Sequence, residues 1–359
     1  MPMILVQTGA LIFVVSVLVS FFTIPVSSRI ATKFNAIDYP AERRINTKAT
    51  PRMGGISIFL AMSASFIILA LICRKYGLYF RYKSFYKPIN FPLLYLSMVI
   101  VFVTGCFDDV KQIRPVIKLL GQIIAACIAV AAGLVIKDIH LAAIDMTVDL
   151  GNFSYVITVL YLVSFANIVN LIDGMDGLAA GTSVIAGTAL VIIAFSRMHW
   201  FVVLITLLFI GSILGFLKYN FHPAQIFLGD SGSLLIGFAF GVLSLLGLGK
   251  SMELGDLLCC FVMFAVPICD TFCAIVRRRR MGVSVGRPDK GHIHHRLLMR
   301  GYNQLSAVLH IYMWSAVLGF LAIVISISAP SYKLLMVIFV ICCVYKVATK
   351  YELYFALED

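Results

Sequence analysis

Between apolar stretches at about 154–172 and 178–196 runs Asn167-Ile-Val-Asn170-Leu-Ile-Asp173-Gly-Met-Asp176-Gly-Leu-Ala-Ala-Gly181. Two carboxamides and two carboxylates recur every three residues, where one hydrophobic segment ends and the next begins. In a chain that is 61% hydrophobic, ionisable groups at such a junction are costly and point to a functional site. Each flanking stretch is long enough, at about 1.5 Å per residue, to cross about 30 Å of hydrocarbon.

The same signal recurs along the whole chain. Further apolar stretches lie at about 3–25, 54–73, 91–107, 118–136, 200–217, 231–248, 255–275, 305–328 and 332–348. Charged residues make up only 13% of the chain, against about a quarter in soluble domains. The expectation is an all-α integral membrane protein, a single polytopic domain over 1–359 with about 11 transmembrane helices. The first stretch lacks a basic leader and is followed, not preceded, by Arg29 and Lys33, so it is read as a retained helix.

Eleven crossings put the termini on opposite sides. With the N-terminus outside and the C-terminus cytoplasmic, about twenty of the 29 Lys and Arg fall on cytoplasmic segments. The outer 74–90 loop, with Arg74, Lys75, Arg81, Lys83 and Lys87, runs against that bias. The net charge of +12 is accounted for by this asymmetry and by anionic lipid headgroups, so no nucleic-acid partner is expected. All nine cysteines sit in or at the ends of apolar spans without metal-pair spacing, and read as small core residues.

Carboxylates gather at the expected cytoplasmic edges. Asp108 and Asp109 close one span; adjacent acids repel unless a cation sits with them, and paired carboxylates suit Mg²⁺. A solvated helix end is the plainer account. In the opening stretch, i, i+3 spacing puts Asn167, Asn170 and Asp173 on one helix face, facing the bundle because lipid cannot satisfy carboxamides. Asp173 or Asp176 as the cap of the following helix is the alternative. Phe227-Leu-Gly-Asp230-Ser-Gly-Ser233 opens another span, where backbone N–H groups form an anion site and Asp230 brings a metal or merely caps the helix. Thr50-Pro-Arg52-Met-Gly-Gly55, after Lys48, places positive charge on an entry loop suited to a phosphorylated ligand. The last large cytoplasmic loop carries Arg277–Arg280 and then Arg287-Pro-Asp289-Lys290-Gly-His292-Ile-His294-His295. His-x-His-His without Cys is a poor structural zinc pattern, so these side chains are read as holding a diphosphate. His222, in a Phe-His-Pro context, is read as structural.

Taken together, TPRMGG, Asp108-Asp109, NxxNxxDGxDGLAxG, FLGDSGS and the HIHH loop resemble the polyprenyl-phosphate N-acetylhexosamine-1-phosphate transferases over nearly the whole chain. The resemblance implies an active site at the cytoplasmic face of the inner (cytoplasmic) membrane. There a sugar 1-phosphate would pass from a UDP-N-acetylhexosamine to a polyprenyl phosphate, with Mg²⁺ (Mn²⁺ as a substitute) and release of UMP. It places the metal ligand on Asp230, and the acids that bind and deprotonate the lipid phosphate, with a share in the metal, on Asp108 and Asp109. Nucleotide and diphosphate contacts fall on Asn167, Asn170, Asp173 and Asp176, and cationic partners on Lys48, Lys118, His292, His294 and His295. The branch making the first peptidoglycan intermediate carries an unbroken His triplet and a lysine three residues after the Asp pair. Here Ile293 interrupts the triplet and that position is Gln112, so the pattern resembles the branch that uses UDP-N-acetylglucosamine for O-antigen, common-antigen or teichoic-acid synthesis. Two mechanisms stay open, direct attack by the lipid phosphate and a covalent aspartyl intermediate. A homodimer is compatible with the sequence. A transporter would place its acids near the midplane on duplicated halves; these acids hug one edge and no duplication is evident.

Overall fold

The computed structural model describes residues 2–39, 49–77, 88–142, 144–248, 252–282, 291 and 293–350. The first long helix, α1 (Pro2–Lys33), leads into a two-residue strand, β1 (Ile37–Asp38), which pairs antiparallel with β2 (Thr50–Pro51). There follow α2 (Gly55–Lys75), α3 (Phe91–Lys111) and α4 (Pro115–Ala131), then a hairpin of β3 (Asp138–Leu141) and β4 (Met146–Asp149). The chain continues through α5 (Phe153–Ile172), α6 (Leu178–Ser196), α7 (Trp200–Asn220) and α8 (Gly229–Leu248). A short strand, β5 (Met252–Glu253), pairs parallel with β3. After it come α9 (Leu254–Val262), α10 (Ala265–Arg280), α11 (Ile293–Met299), α12 (Gln304–Ile327) and α13 (Pro330–Lys350).

Among the described residues, nine helices are long and apolar enough to cross a bilayer. Two expected spans take other forms. The segment expected at 118–136 is the 17-residue α4, and the one expected at 255–275 is α9 and α10, bent by 78°. Pro267 lies at the third position of α10. It offers no N–H, and its ring clashes with the carbonyl four residues earlier, so one straight helix cannot run through the bend. The chain is a multi-span, all-α membrane protein whose only strands, among the described residues, are short pairings in connecting segments.

Apolar side chains face outward as well as inward. Leu11, Leu18 and Phe22 on α1, and Leu335, Ile338 and Phe339 on α13, are exposed, as lipid-facing surfaces require. The centre is α8, 94% of whose span is buried. Small residues let neighbours reach its backbone. A Cβ on Gly105 of α3 would lie 2.4 Å from the Asp230 carbonyl oxygen, and one on Gly55 of α2 would lie 2.2 Å from the Gly232 nitrogen. Glycine is required at both positions because these neighbours are backbone and cannot rotate away. The first turn of α8, which carries Asp230, is therefore wedged between the end of α3 and the start of α2.

At the opposite end of the bundle, Arg197 lies 2.7 Å from Asp256, and Lys333 donates to Glu253 (2.5 Å) and Asp256 (3.1 Å). These four charges tie the end of α6, β5 and the starts of α9 and α13 together.

Candidate active site

Asp108, expected beside Asp109 at a helix end, is in the last turn of α3, while Lys118 is in the first turn of α4. Chain reversal between these two helices faces Lys118 toward Asp108 at 3.7 Å. The Lys118 ammonium also contacts Asp230 directly and donates to Asn170 Oδ1 at 3.1 Å. Asn170 in turn donates to Asp230 Oδ1 (2.9 Å) and to Ser233 Oγ (2.8 Å). Four elements, α3, α4, α5 and α8, thus bring one cation among three sets of oxygens.

Asp109 behaves differently from its neighbour. Its side chain has no exposed surface. Oδ1 accepts from the Asp230 N–H at 2.8 Å, and Oδ2 accepts from the Ser231 N–H at 3.0 Å. These are two of the orphan amides that every helix N-terminus presents, so α8 is capped by a carboxylate from α3. The sequence reading treats Asp109 and Asp108 as equivalent metal ligands; in the structure they differ, because each Asp109 oxygen accepts from a buried α8 amide whereas Asp108 faces Lys118. Nor is Asp230 the cap of its own helix, since its side chain points to Lys118 and Asn170.

Asn167, one helical turn before Asn170, donates to Gln122 Oε1 at 2.6 Å. Gln122, four residues after Lys118 on the same face of α4, was missed from the sequence. A buried amide in an apolar helix one turn from a cation was the signal that could have found it. Asp108, Gln112, Lys118, Gln122, Asn167 and Asn170 line a cavity of ≈ 340 Å³ at this end of the bundle.

The acids of the opening stretch part company. α5 ends at Ile172, and Asp173 leaves helical geometry (φ −73°, ψ 59°). Burial, with the nearby Asp230 and Asp109 charges adding, pushes the Asp173 carboxyl up to about 8, while Arg52 pulls it down. Asp176 Oδ2 accepts from His222 Nδ1 (2.9 Å) and from the Ala224 N–H (3.1 Å). It fastens the turn before α6 to the segment after α7, in line with a structural His222, and is spent there rather than beside Asp230. Neither Asp173 nor Asp176 caps α6. Gly177 does, at φ 74°, with its N–H donated to Asn220 Oδ1.

The Thr50–Gly55 loop reaches the same place by backbone pairing. Phe227 donates to the Pro51 carbonyl (2.8 Å), and Gly54 and Gly55 donate to the Phe227 and Leu228 carbonyls (2.9 and 3.1 Å). Arg52 is thereby brought to 4.0 Å from Asp109 Oδ1 and 4.0 Å from Asp38 Oδ1. Lys48 and His292 lie outside the described residues, as does the side chain of His294. α11, which carries His294 and His295, is tied to α10 because Ile293 donates to Asp270 Oδ1 at 2.8 Å. Among the described residues, no histidine is within hydrogen-bonding or ion-pair reach of Asp108 or Asp230.

Fold and site together define a polytopic membrane protein that converges carboxylates, carboxamides and two cations on one end of its bundle. Residues 91–248, which span α3 to α8, match the model of glycosyl transferase family 4. The chain is 37% identical, over 92% of its length and 88% of the relative's, to a probable undecaprenyl-phosphate N-acetylglucosaminyl 1-phosphate transferase of Bacillus subtilis (strain 168). It is 35% identical to a decaprenyl-phosphate N-acetylglucosaminephosphotransferase of Mycolicibacterium smegmatis, over 87% of this chain and 80% of that one. Similarity to a phospho-N-acetylmuramoyl-pentapeptide-transferase of Bacillus subtilis is 32% and covers 65% of this chain and 72% of that one. The chain belongs to glycosyl transferase family 4 and is a membrane transferase.

Proposed function

We propose that this chain transfers N-acetylglucosamine 1-phosphate from UDP-N-acetylglucosamine to a polyprenyl phosphate, releasing UMP, at the cytoplasmic face of the cell's inner membrane. The observation that carries this reading is the meeting of Asp108, Lys118, Asn170 and Asp230 from four separate elements at one end of a membrane bundle. The donor follows the names of relatives that match most of the chain.

The donor set fits a hard divalent cation. Asp230, Asp108 and Asn170 Oδ1 converge hard oxygen atoms around the Lys118 ammonium, which supports a preference for positive charge here. Among the described residues no three His, Cys, Asp or Glu side chains form a complete metal cage. Mg²⁺ ordinarily takes one or two protein carboxylates and completes its shell with water and substrate phosphate. Asp230 and Asp108 would hold Mg²⁺, with Mn²⁺ as a substitute; when bound, it would neutralise phosphate charge.

The chemistry asked of the protein is alignment of two anions. Lys118, lining the ≈ 340 Å³ cavity, is placed to meet phosphate oxygens entering there. A phosphate monoester has its second pKa near 6 and is largely dianionic at neutral pH, so a general base contributes less than charge neutralisation and positioning. An oxygen of the lipid phosphate attacks the β-phosphorus of the donor. A new P–O–P bond forms as the bond to the UMP oxygen breaks, and UMP leaves with that electron pair.

The test is Mg²⁺-dependent exchange of labelled UMP into UDP-N-acetylglucosamine in the presence of polyprenyl phosphate, run beside UDP-N-acetylgalactosamine and UDP-N-acetylmuramoyl-pentapeptide. Exchange is expected with the first donor and is expected to vanish in Asp230→Asn. Undiminished exchange in that variant would remove Asp230 from the site, and preference for another donor would overturn the sugar assignment. Labelled aspartate recovered after quenching with donor alone would replace direct attack with a covalent route.

A further inference from the structure

We propose that Arg52 is a second phosphate-binding cation of this site, contacting a phosphate oxygen of one of the two substrates from the flank opposite Lys118. This rests on the transferase reading above.

The backbone of Arg52 is fixed on both sides. Its N–H donates to the Ala36 carbonyl at 2.9 Å, and the adjoining residues are paired with Phe227 and Leu228, just ahead of Asp230. The position of the side chain is therefore set by the same segments that set Asp230. Its guanidinium lies 4.0 Å from carboxylate oxygens of Asp38 and Asp109, and donates a hydrogen bond to neither. Asp109 has no need of it, since both its oxygens already accept from the α8 amides. The side chain keeps 23% of its surface exposed.

A guanidinium carries five donors in a planar fork that matches phosphate oxygens in pairs. Here, among the described residues, none of the five is used. The charge of Arg52 acts on Asp38, Asp109 and Asp173 at a distance, but with Asp109 already satisfied by backbone amides none of these acids engages the fork's donors. Lys118 contacts the side chain of Asp230 from α4, whereas Arg52 approaches through Asp109, which holds the Asp230 backbone. The two cations thus flank the first turn of α8. A reaction that joins two phosphate-bearing substrates calls for positive charge on both.

Steady-state kinetics of Arg52→Gln, Arg52→Lys and Asp38→Asn test this, together with calorimetric titration of UDP in the absence of lipid. Arg52→Gln is expected to raise KM about tenfold for one substrate, and Arg52→Lys, which keeps charge but loses the fork, to raise the same KM about threefold. Asp38→Asn is expected to leave both KM values within about twofold. A matching loss of UDP affinity assigns Arg52 to the donor diphosphate; intact UDP affinity with a raised lipid KM assigns it to the acceptor phosphate. Both KM values unmoved in either arginine variant, with a lower melting temperature like that of Asp38→Asn, would overturn the proposal in favour of charge balancing. If Arg52→Gln does not fold, Arg52→Lys decides on the same readout. Parent protein that releases no UMP would instead count against the transferase reading itself.

Discussion

Two adjacent aspartates on α3 have unlike work. Asp108 shares the Lys118 ammonium with Asp230, and Asp109 closes two amides of α8. Removing a buried acceptor leaves each amide unsatisfied at about 1–3 kcal/mol. Asp109→Ala is therefore expected to lower thermal stability in detergent together with turnover, and Asp109→Asn, which keeps one acceptor, to recover part of both. An Asp109→Ala protein as stable as the parent would refute the capping role. Asp173 offers a pH test. Its folded pKa of about 8 lies above the ordinary carboxylate value, so the folded state holds a proton that the unfolded chain has released. Stability attributable to this group is greatest at low pH and declines as pH rises from the carboxylate range through about 8. In chelator, Asp173→Asn should melt above the parent at pH 8.5 and lose that advantage near pH 4. No gain at the higher pH would show that the carboxyl is not raised. Spacing revealed Asn167 and Asn170 because α5 continues through both. It extended the same face to Asp173, although helical geometry stops at Ile172, and it treated Asp108 and Asp109 alike because a cap reaching from another helix leaves no local pattern.

At the scale of elements, the site depends on how closely α3 and α2 approach α8. Gly105→Ala would put a methyl 2.4 Å from the Asp230 carbonyl oxygen and 2.6 Å from Ser231 Cα. Backbone must move, and that backbone carries Asp230. The expectation is a loss of kcat of tenfold or more, since misplacement of about 1 Å can cost about a hundredfold. An active alanine variant would show that the α3–α8 contact is not what aligns Asp230. At the far end, Lys333 and Asp256 are each 5% exposed. Lys333→Met would leave Asp256 with Arg197 as its one cation, and Glu253 with none, among the described contacts. Breaking a buried pair on one side typically costs about 3–5 kcal/mol, so this variant is expected to unfold at clearly lower temperature. Unchanged melting would show that the cluster is not holding α9. The apolar segments were legible because length and composition alone define them. The bend was not, although Pro267 marked it, and the four-charge cluster was not, because its two cations, Arg197 and Lys333, lie far in the chain from Glu253 and Asp256.

The whole molecule sorts its chemistry by end. The carboxylates of the site, Lys118 and Arg52 occupy the end where α3, α5 and α7 finish and α2, α4, α6 and α8 begin. The β3–β4 hairpin and the Arg197–Lys333 cluster occupy the other. Positive-inside asymmetry favours the site end as cytoplasmic, where a nucleotide-linked donor is also available. Two exposed positions separate the alternatives: Lys111 closes α3 at the site end, and Ile144 lies in the hairpin at the far end. All nine cysteines are free thiols and several are exposed, so the test needs a cysteine-free background. Into it Lys111→Cys and Ile144→Cys are introduced singly and treated in intact cells, with any outer barrier removed, using a membrane-impermeant maleimide. Labelling of Ile144→Cys in intact cells, and of Lys111→Cys only after permeabilisation, is the expected result. The reverse pattern would turn the molecule over and put the site on the wrong side for a cytoplasmic nucleotide sugar. Labelling of both from outside would mean that the bundle does not separate the two ends across the bilayer, and the proposed reaction would lose its geometry.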